Sequence, residues 1–257
     1  MKRIRIIPIL LLRNRKLVKT VRFRDPRYVG DPINAVRIFN DKEVDEIAII
    51  QIDSNRYDVG PDFEHLREIA SEAFMPLAFG GGILNETGAQ NAFAAGAEKI
   101  ILNAAAYENP GLIKTLSNRY GAQSVVVSLD VTKSFWRGMA PCTRSASRTM
   151  RSTPVEAAKR FEELGAGEIL LHDTTREGTR IGMNLPLISQ IAAAVTIPVI
   201  ALGGARSVDD LGEAVRVGHA AAAGAGSLFV FHGPHQAVLI QYPSQAVLED
   251  KVFVHEH

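Results

Sequence analysis

At 257 residues the chain is long for one hydrophobic core and short for two. Hydrophobic residues supply 46% and charged residues 22%, a globular balance that leaves no case for disorder, and a net charge of +1 gives no electrostatic reason to expect nucleic acid or an acidic membrane as partner. The single cysteine, Cys142, cannot make an internal disulfide, which fits a reducing cytoplasm.

Met1-Lys2-Arg3 followed by Ile4–Leu12 has the outline of a signal peptide, but Arg5 and Pro8 break the apolar run. The run ends on the basic Arg13-Asn14-Arg15-Lys16 and lacks a small-x-small cleavage site. No later segment is apolar for long enough to span a bilayer, so a cytoplasmic protein is expected. From Ile4 onward, short apolar runs alternate with capped amphipathic stretches. The runs are Ile4–Leu11, Ile47–Ile52, Pro76–Phe79, Lys99–Leu102, Val125–Leu129, Glu168–Leu171, Pro198–Leu202 and Ala220–Ala223. Continuous rather than alternating apolar character predicts parallel strands covered on both faces. Asp31-Pro32, Asn109-Pro110 and Thr153-Pro154 each set a capping side chain before a proline, and Ser207 with Asp210 has the spacing of a capping box. Gly96, Gly165 and Gly218 stand where helices should stop.

Eight βα units allow a closed barrel or an open doubly wound sheet. An internal repeat favours closure. Pro76-Leu-Ala-Phe-Gly80-Gly81-Gly82 recurs as Pro198-Val-Ile-Ala-Leu-Gly203-Gly204-Ala205, and Asp45-Glu46-Ile47 is echoed by Gly167-Glu168-Ile169. The predicted fold is an α/β (β/α)8 TIM barrel with a two-fold internal half-barrel repeat, one domain over residues 1–257.

Both glycine runs follow a strand, where backbone N–H groups can approach an anion and the next helix dipole adds attraction. A tight βα turn is the alternative for either alone. Their equivalent places in two halves favour two anion sites, at Gly81, Gly82 and Asn103 and at Gly203, Gly204, Gly226 and Ser227. A ligand with two separated phosphate groups would fit. A loop of roughly twenty residues after the first strand is long for a βα connection and holds Lys16, Lys19, Arg22, Arg24 and Arg27. It reads as a mobile lid over an anionic ligand, or as a solvated basic loop. Asp130, ending the fifth strand, is the candidate for acid–base chemistry, with a helix N-cap as the structural alternative. The histidines, with His232, His235, His255 and His257 in a surface tail, show no metal-ligand spacing, and no metal or cofactor is expected.

These residues resemble the cyclase subunit family of imidazole glycerol phosphate synthase. The resemblance runs through Arg5-Ile-Ile-Pro8, Lys19, Gly30-Asp31-Pro32, Gly80-Gly81-Gly82, Asn103, Asp130, Glu162–Leu171, Gly178-Thr179 and Pro198–Ala205. It implies a glutaminase docked on the N-terminal barrel face, ammonia passing through the barrel, and an entrance gate of two basic and two acidic side chains at Arg5, Glu46, Lys99 and Glu168. A purely structural salt-bridge ring is the alternative. The resemblance also implies ligand contacts at Lys19 and Gly178. Three places depart from it. Leu11 stands where the family carries a catalytic aspartate, Gln51 replaces another aspartate, and Thr175-Arg176-Glu177-Gly178-Thr179 replaces Asp-Arg-Asp-Gly-Thr. Leucine cannot transfer a proton, so ring closure is not expected.

A divergent branch, the cyclase-like proteins of acetamidino-sugar biosynthesis in lipopolysaccharide O-antigen pathways, is similar in further places. These are the leucine run after Pro8, Val18-Lys-Thr-Val21, Tyr28–Ala35 with Arg37-Ile-Phe-Asn40, Gly226–Phe231 and the ending His235, Ala237–Ile240, Tyr242-Pro-Ser244. It implies ammonia delivery to a separate ATP-dependent sugar amidotransferase and a phosphorylated or nucleotide-sugar ligand. The basic, Ser/Thr-rich Arg137–Arg151 segment fits neither branch, and either remodels the rim or is a variable loop. Three readings stand: an ammonia-conducting subunit for acetamidino modification, a true synthase subunit of histidine biosynthesis, and a non-catalytic scaffold that binds a phospholigand and docks a glutaminase.

Overall fold

The computed structural model describes residues 4–54, 60–134, 138–143 and 145–253. The first half comprises β1 (Arg5–Arg13), an antiparallel ribbon of β2 (Lys16–Val21) and β3 (Arg24–Gly30), α1 (Pro32–Asp41), β4 (Ile47–Gln51), α2 (Phe63–Ala70), β5 (Leu77–Gly80), α3 (Glu86–Ala94) and β6 (Lys99–Leu102). The second runs through α4 (Ala104–Glu108), α5 (Gly111–Tyr120), β7 (Val125–Ser134), β8 (Gly138–Thr143), β9 (Arg148–Thr149), α6 (Pro154–Glu163), β10 (Glu168–Asp173), α7 (Leu185–Ala192), β11 (Val199–Leu202), α8 (Val208–Arg216) and β12 (Ala222–Ala225). The chain ends with α9 (Ser227–Val230), a hairpin of β13 (Phe231–His232) and β14 (Ala237–Val238), and α10 (Gln245–Lys251).

β1 pairs in parallel with β12 on one side and β4 on the other; β5, β6, β7, β10 and β11 continue the sheet back to β12. The result is a closed eight-stranded parallel barrel with alternating helices, as the sequence predicts. Closure explains the unbroken apolar runs. Outward residues such as Ile6, Ile49, Phe79 and Leu171 pack under Phe39, Leu66, Phe161 and Leu211 of the helices. Inward residues, Ile7, Ile9, Ala48, Ala78, Ile101, Val126, Leu170, Ile200 and Ala222, form a second, separate apolar cluster inside the bore.

Helix starts follow the sequence at three of four expected caps. Asp31 accepts from Asn34 N–H, and Thr153 with Glu156 and Ser207 with Asp210 form capping boxes. The fourth expectation is corrected. Asn109 closes α4, and α5 starts at Gly111 after Pro110 without a side-chain cap. The expected first loop is also corrected: it is a twisted ribbon. Asn14-Arg15 (φ 49° and 60°) and Arg22-Phe23 (φ 50° and 61°) supply left-handed two-residue turns between β1, β2 and β3, the turn geometry that matches strand twist. The Arg137–Arg151 segment holds a second ribbon, with β7 continuing past the barrel and returning as β8; Arg137 and Arg144 lie outside the described residues.

The half-barrel repeat recurs in one close contact. A methyl on Gly81 (φ 108°) would lie 2.1 Å from the Gln51 carbonyl oxygen, and one on Gly203 (φ 110°) 2.6 Å from that of Asp173. The same sequence offset separates both pairs. Each glycine lets a rim turn rest on the neighbouring strand's end, in a conformation costly to other residues. Gly81→Ala and Gly203→Ala should therefore each cost about 1–3 kcal/mol in urea melts. Gly88→Ala, inside α3 with its nearest neighbour at 3.5 Å, should instead stabilise by about 0.5–1 kcal/mol.

Candidate functional site at the barrel rim

Alternation along the strands assigns each polar inward residue its depth. Arg5, Lys99 and Glu168 are the first residues of β1, β6 and β10, and Glu46 immediately precedes β4. All four meet at the N-terminal mouth, beneath the apolar bore. Arg5 Nη1 lies 2.5 Å from Glu46 Oε2 and Nη2 lies 2.9 Å from Glu168 Oε1; Lys99 Nζ lies 2.9 Å from Glu46 Oε2 and 3.2 Å from Glu168 Oε2. Each cation bridges both anions. This ring of alternating charge is the arrangement that makes ionised groups tolerable at a closed barrel base.

At the opposite end, Leu11, Asp130 and His172 stand at the rim of the barrel. Asp130 is 8% exposed and accepts a 2.6 Å hydrogen bond from Ser128 Oγ. It sits mid-strand, paired with Cys142 of β8, which excludes the helix N-cap alternative. His172, its register partner on β10, brings Nδ1 to 3.6 Å from Asp130 Oδ1. Burial, and then the Asp130 charge, push the Cys142 thiol up to about 12, so it stays protonated. Leu11 lies on the other side of the bore, where strand one offers no carboxylate.

A small cavity of about 50 Å³ lies over the second half of the rim, lined by Leu11, Lys19, Phe23, His172, Glu177, Gly178, Arg180, Gly203, Gly204, Gly226 and Ser227. It gathers six positions that the sequence singled out: Lys19, Gly178, Gly203, Gly204, Gly226 and Ser227. The N–H groups of Gly203 and Gly204 hydrogen-bond no described residue, which leaves them available to an anion. The helix contribution is different from that expected. Asp210 Oδ2 accepts from Arg206 and Ser207 N–H and Ser207 Oγ accepts from Asp210 N–H, so α8 caps its own N-terminus. The first-half counterpart is organised otherwise. Gly81 and Gly82 have the positive φ values of their equivalents, while Asn103 Nδ2 donates to the Ser128 carbonyl at 3.1 Å. Buried Asp53 nearby keeps one carboxylate oxygen unpartnered.

Lys19 is engaged by Glu177, which the sequence marks only as part of the departing Thr175–Thr179 stretch and not as a site residue. Glu177 Oε1 accepts from Lys19 Nζ at 2.8 Å and Thr20 Oγ1 at 3.0 Å, and Oε2 accepts from Phe23 N–H at 3.1 Å. Arg22 N–H adds a bond to the Glu177 carbonyl, and Gly178 allows Thr20 to press against it. One carboxylate thus fastens the ribbon over the rim. The ribbon residues Lys19 and Phe23 form one wall of the small rim cavity. A second hollow of about 600 Å³ lies between the ribbon and the β7–β8 hairpin, lined in part by Arg22, Arg24, Lys133 and Thr175. His232 and His235 are exposed on the tail hairpin, and His255 and His257 lie outside the described residues. Among the described residues no group of three His, Cys, Asp or Glu side chains is placed to hold a metal, and no helix is long and apolar enough to cross a membrane.

Burial pushes the Glu177 carboxyl up, but Lys19, Phe23 N–H and His172 more than reverse this, leaving it below its ordinary 4.5. A depressed folded-state pKa contributes stability above the unfolded value that disappears as pH falls through the folded one. Glu177→Gln should cost about 1–3 kcal/mol at neutral pH. It should also flatten the acid limb below 4.5 in urea melts taken across pH.

The histidine biosynthesis protein family matches residues 5–235. A Pseudomonas aeruginosa protein named putative imidazole glycerol phosphate synthase subunit hisF2 is 47% identical, covering 95% of this chain and 97% of that protein. The Vibrio vulnificus putative subunit hisF3 is 43% identical over 95% and 94%. The Alkaliphilus metalliredigens imidazole glycerol phosphate synthase subunit HisF is 36% identical over 89% and 90%. These names correspond to the synthase reading of the sequence rather than to the acetamidino-sugar one. With its closed barrel, charged mouth and glycine-lined rim, the chain belongs to the HisF family of imidazole glycerol phosphate synthase cyclase subunits.

Proposed function

We propose that the chain is the barrel subunit of a glutamine-dependent amidotransferase pair in the cytoplasm. A glutaminase docks on its N-terminal face, ammonia enters through the charged ring, and a phosphorylated ligand is held at the rim. The observation that carries this reading is the ring itself. Four ionised side chains close the mouth by side-chain contacts alone, above them the bore is lined by alanines and aliphatics that favour neutral ammonia, and a rotamer change would open the way. Apolar residues would close a merely structural barrel at lower desolvation cost.

Leu11 bears on the acceptor. One carboxylate of the family's pair is missing while Asp130 remains, so the nitrogen acceptor is better sought outside the ring-closing reaction. An acetamidino modification of a nucleotide sugar by a separate ATP-dependent enzyme fits the leucine run and the tail motif. The second reading, a synthase subunit of histidine biosynthesis, is favoured by the names of the relatives and by retained Asp130.

The readings separate in reconstitution. Given ammonia and the histidine-pathway ribonucleotide, the barrel should form no imidazole glycerol phosphate; turnover on the order of 1 per second establishes the synthase reading instead. Lys99→Met should leave the barrel folded while changing product formation with glutamine relative to added ammonium salt. Identical responses to both nitrogen sources would make the ring a structural plug and the barrel a docking scaffold.

A further inference from the structure

The rim cavity brings together more ionisable groups than an ammonia exit requires. Lys19, Glu177, Arg180 and His172 line it, and Asp130 stands behind His172 at 3.6 Å. His172 is held on a strand rather than a loop: β7 and β10 pair it with Asp130, and the Phe23 ring of the ribbon packs edge-on against it at 5.6 Å between centroids. It is 9% exposed, forms no hydrogen bond to a described residue, and presents its ring to the cavity. Beyond Asp130, Tyr107 and Cys142 stay neutral, their ionisation opposed by burial and by the Asp130 charge.

The charge balance depends on this imidazole. Lys19 and Glu177 cancel at 2.8 Å, and Arg180 is turned partly to Arg206, its Nη2 donating to that carbonyl at 3.4 Å. With His172 neutral, an entering dianion faces an uncompensated Asp130 and meets at most an uncharged ring N–H. With His172 protonated, Asp130 is balanced, Nδ1–H stays with Asp130, and Nε2–H becomes a charged donor to the cavity. Gly203 and Gly204 add free backbone N–H groups, and the Lys19 ammonium lies on Gly226, where an added methyl would be 2.9 Å from Nζ.

We propose that His172 is the proton-coupled anion ligand of this rim. It binds a tetrahedral oxyanion as imidazolium, with Lys19 and the Gly203-Gly204 backbone, and releases it on deprotonation; Asp130, 3.6 Å from Nδ1, is the positioning residue whose charge favours the imidazolium. This rests on the phospholigand part of the proposed function and not on ammonia transfer. Phosphate-ester binding by this subunit then takes up a proton and weakens as pH rises.

The test titrates sulfate, which stays a dianion throughout, into the full chain, followed by histidine ring and glycine amide NMR signals. Wild-type affinity should be about tenfold weaker at about pH 8 than at about pH 5.5, and sulfate should raise the His172 midpoint by about one pH unit. His172→Gln should hold the difference within about twofold, while Asp130→Asn should keep binding at low pH and lower the midpoint. If His172→Gln does not fold, the wild-type midpoint decides alone. A pH-independent affinity, an unmoved His172 midpoint, an undiminished pH dependence in His172→Gln, or sulfate shifts away from His172 and Gly204, an adventitious ion only, would overturn the proposal. Failure of glutamine-coupled turnover with sulfate binding intact would count against ammonia transfer alone.

Discussion

A parallel sheet that closes on itself commits every second side chain to a bore from which there is no lateral exit. The charged ring, the apolar middle and the rim chemistry are consequences of that constraint. On β10 the inward residues are Glu168, Leu170 and His172; on β1 they are Arg5, Ile7, Ile9 and Leu11. Charge is tolerated at the mouth because each cation there meets two carboxylates, and it returns only where the strands reach the rim. Between these ends the small side chains of Ala48, Ala78 and Ala222 keep the interior apolar without filling it with aromatic bulk. A neutral molecule the size of ammonia suffers little in such a layer, whereas ammonium would lose its hydration without gaining a partner.

The ribbon over the rim is governed by one carboxylate. Glu177 collects an ammonium, a hydroxyl and a backbone N–H, so its burial is offset by hydrogen bonds that only the closed ribbon provides. An anion that recruits Lys19 weakens the same latch. A ligand bound there would therefore compete with the ribbon for a single ammonium group, without a remote signal. The basic residues beyond the latch, Arg22, Arg24 and Lys133, border the larger hollow and give the rest of an anionic ligand somewhere to lie.

Most of the barrel was legible in the sequence because burial on both faces leaves continuous apolar runs, and because the glycine repeat marks equivalent turns. The charged ring was legible through resemblance, since Arg5, Glu46, Lys99 and Glu168 lie far apart in the chain and meet only when the sheet closes. The ribbons were not. Positive φ at Asn14-Arg15 and Arg22-Phe23 is adopted without a glycine, so the usual turn signal is absent. Asn109 had the residue type of a cap, but the short α4 uses it as a terminus. His172 was hidden by ending the sixth strand at Leu171. Carrying the alternation from Glu168 two steps beyond Leu170 places it in the bore beside Asp130.

The two halves of the barrel share backbone geometry and have parted in chemistry. Gly81 and Gly203 make the same approach to Gln51 and Asp173, yet only the second half gathers Lys19 and His172 around its turn. The first half holds Asn103 on the Ser128 carbonyl and keeps buried Asp53 close by, with one oxygen unpartnered, a poorer setting for a second negative group. A ligand gripped at one end by the second half, with its remainder toward the hollow beneath the β7–β8 hairpin, would cross the rim over Asp130. Leu11, on the far side of the bore, leaves Asp130 without an opposing carboxylate. The titratable side chains of this part of the rim, Asp130 and His172, are thus concentrated on β7 and β10 rather than divided across the barrel.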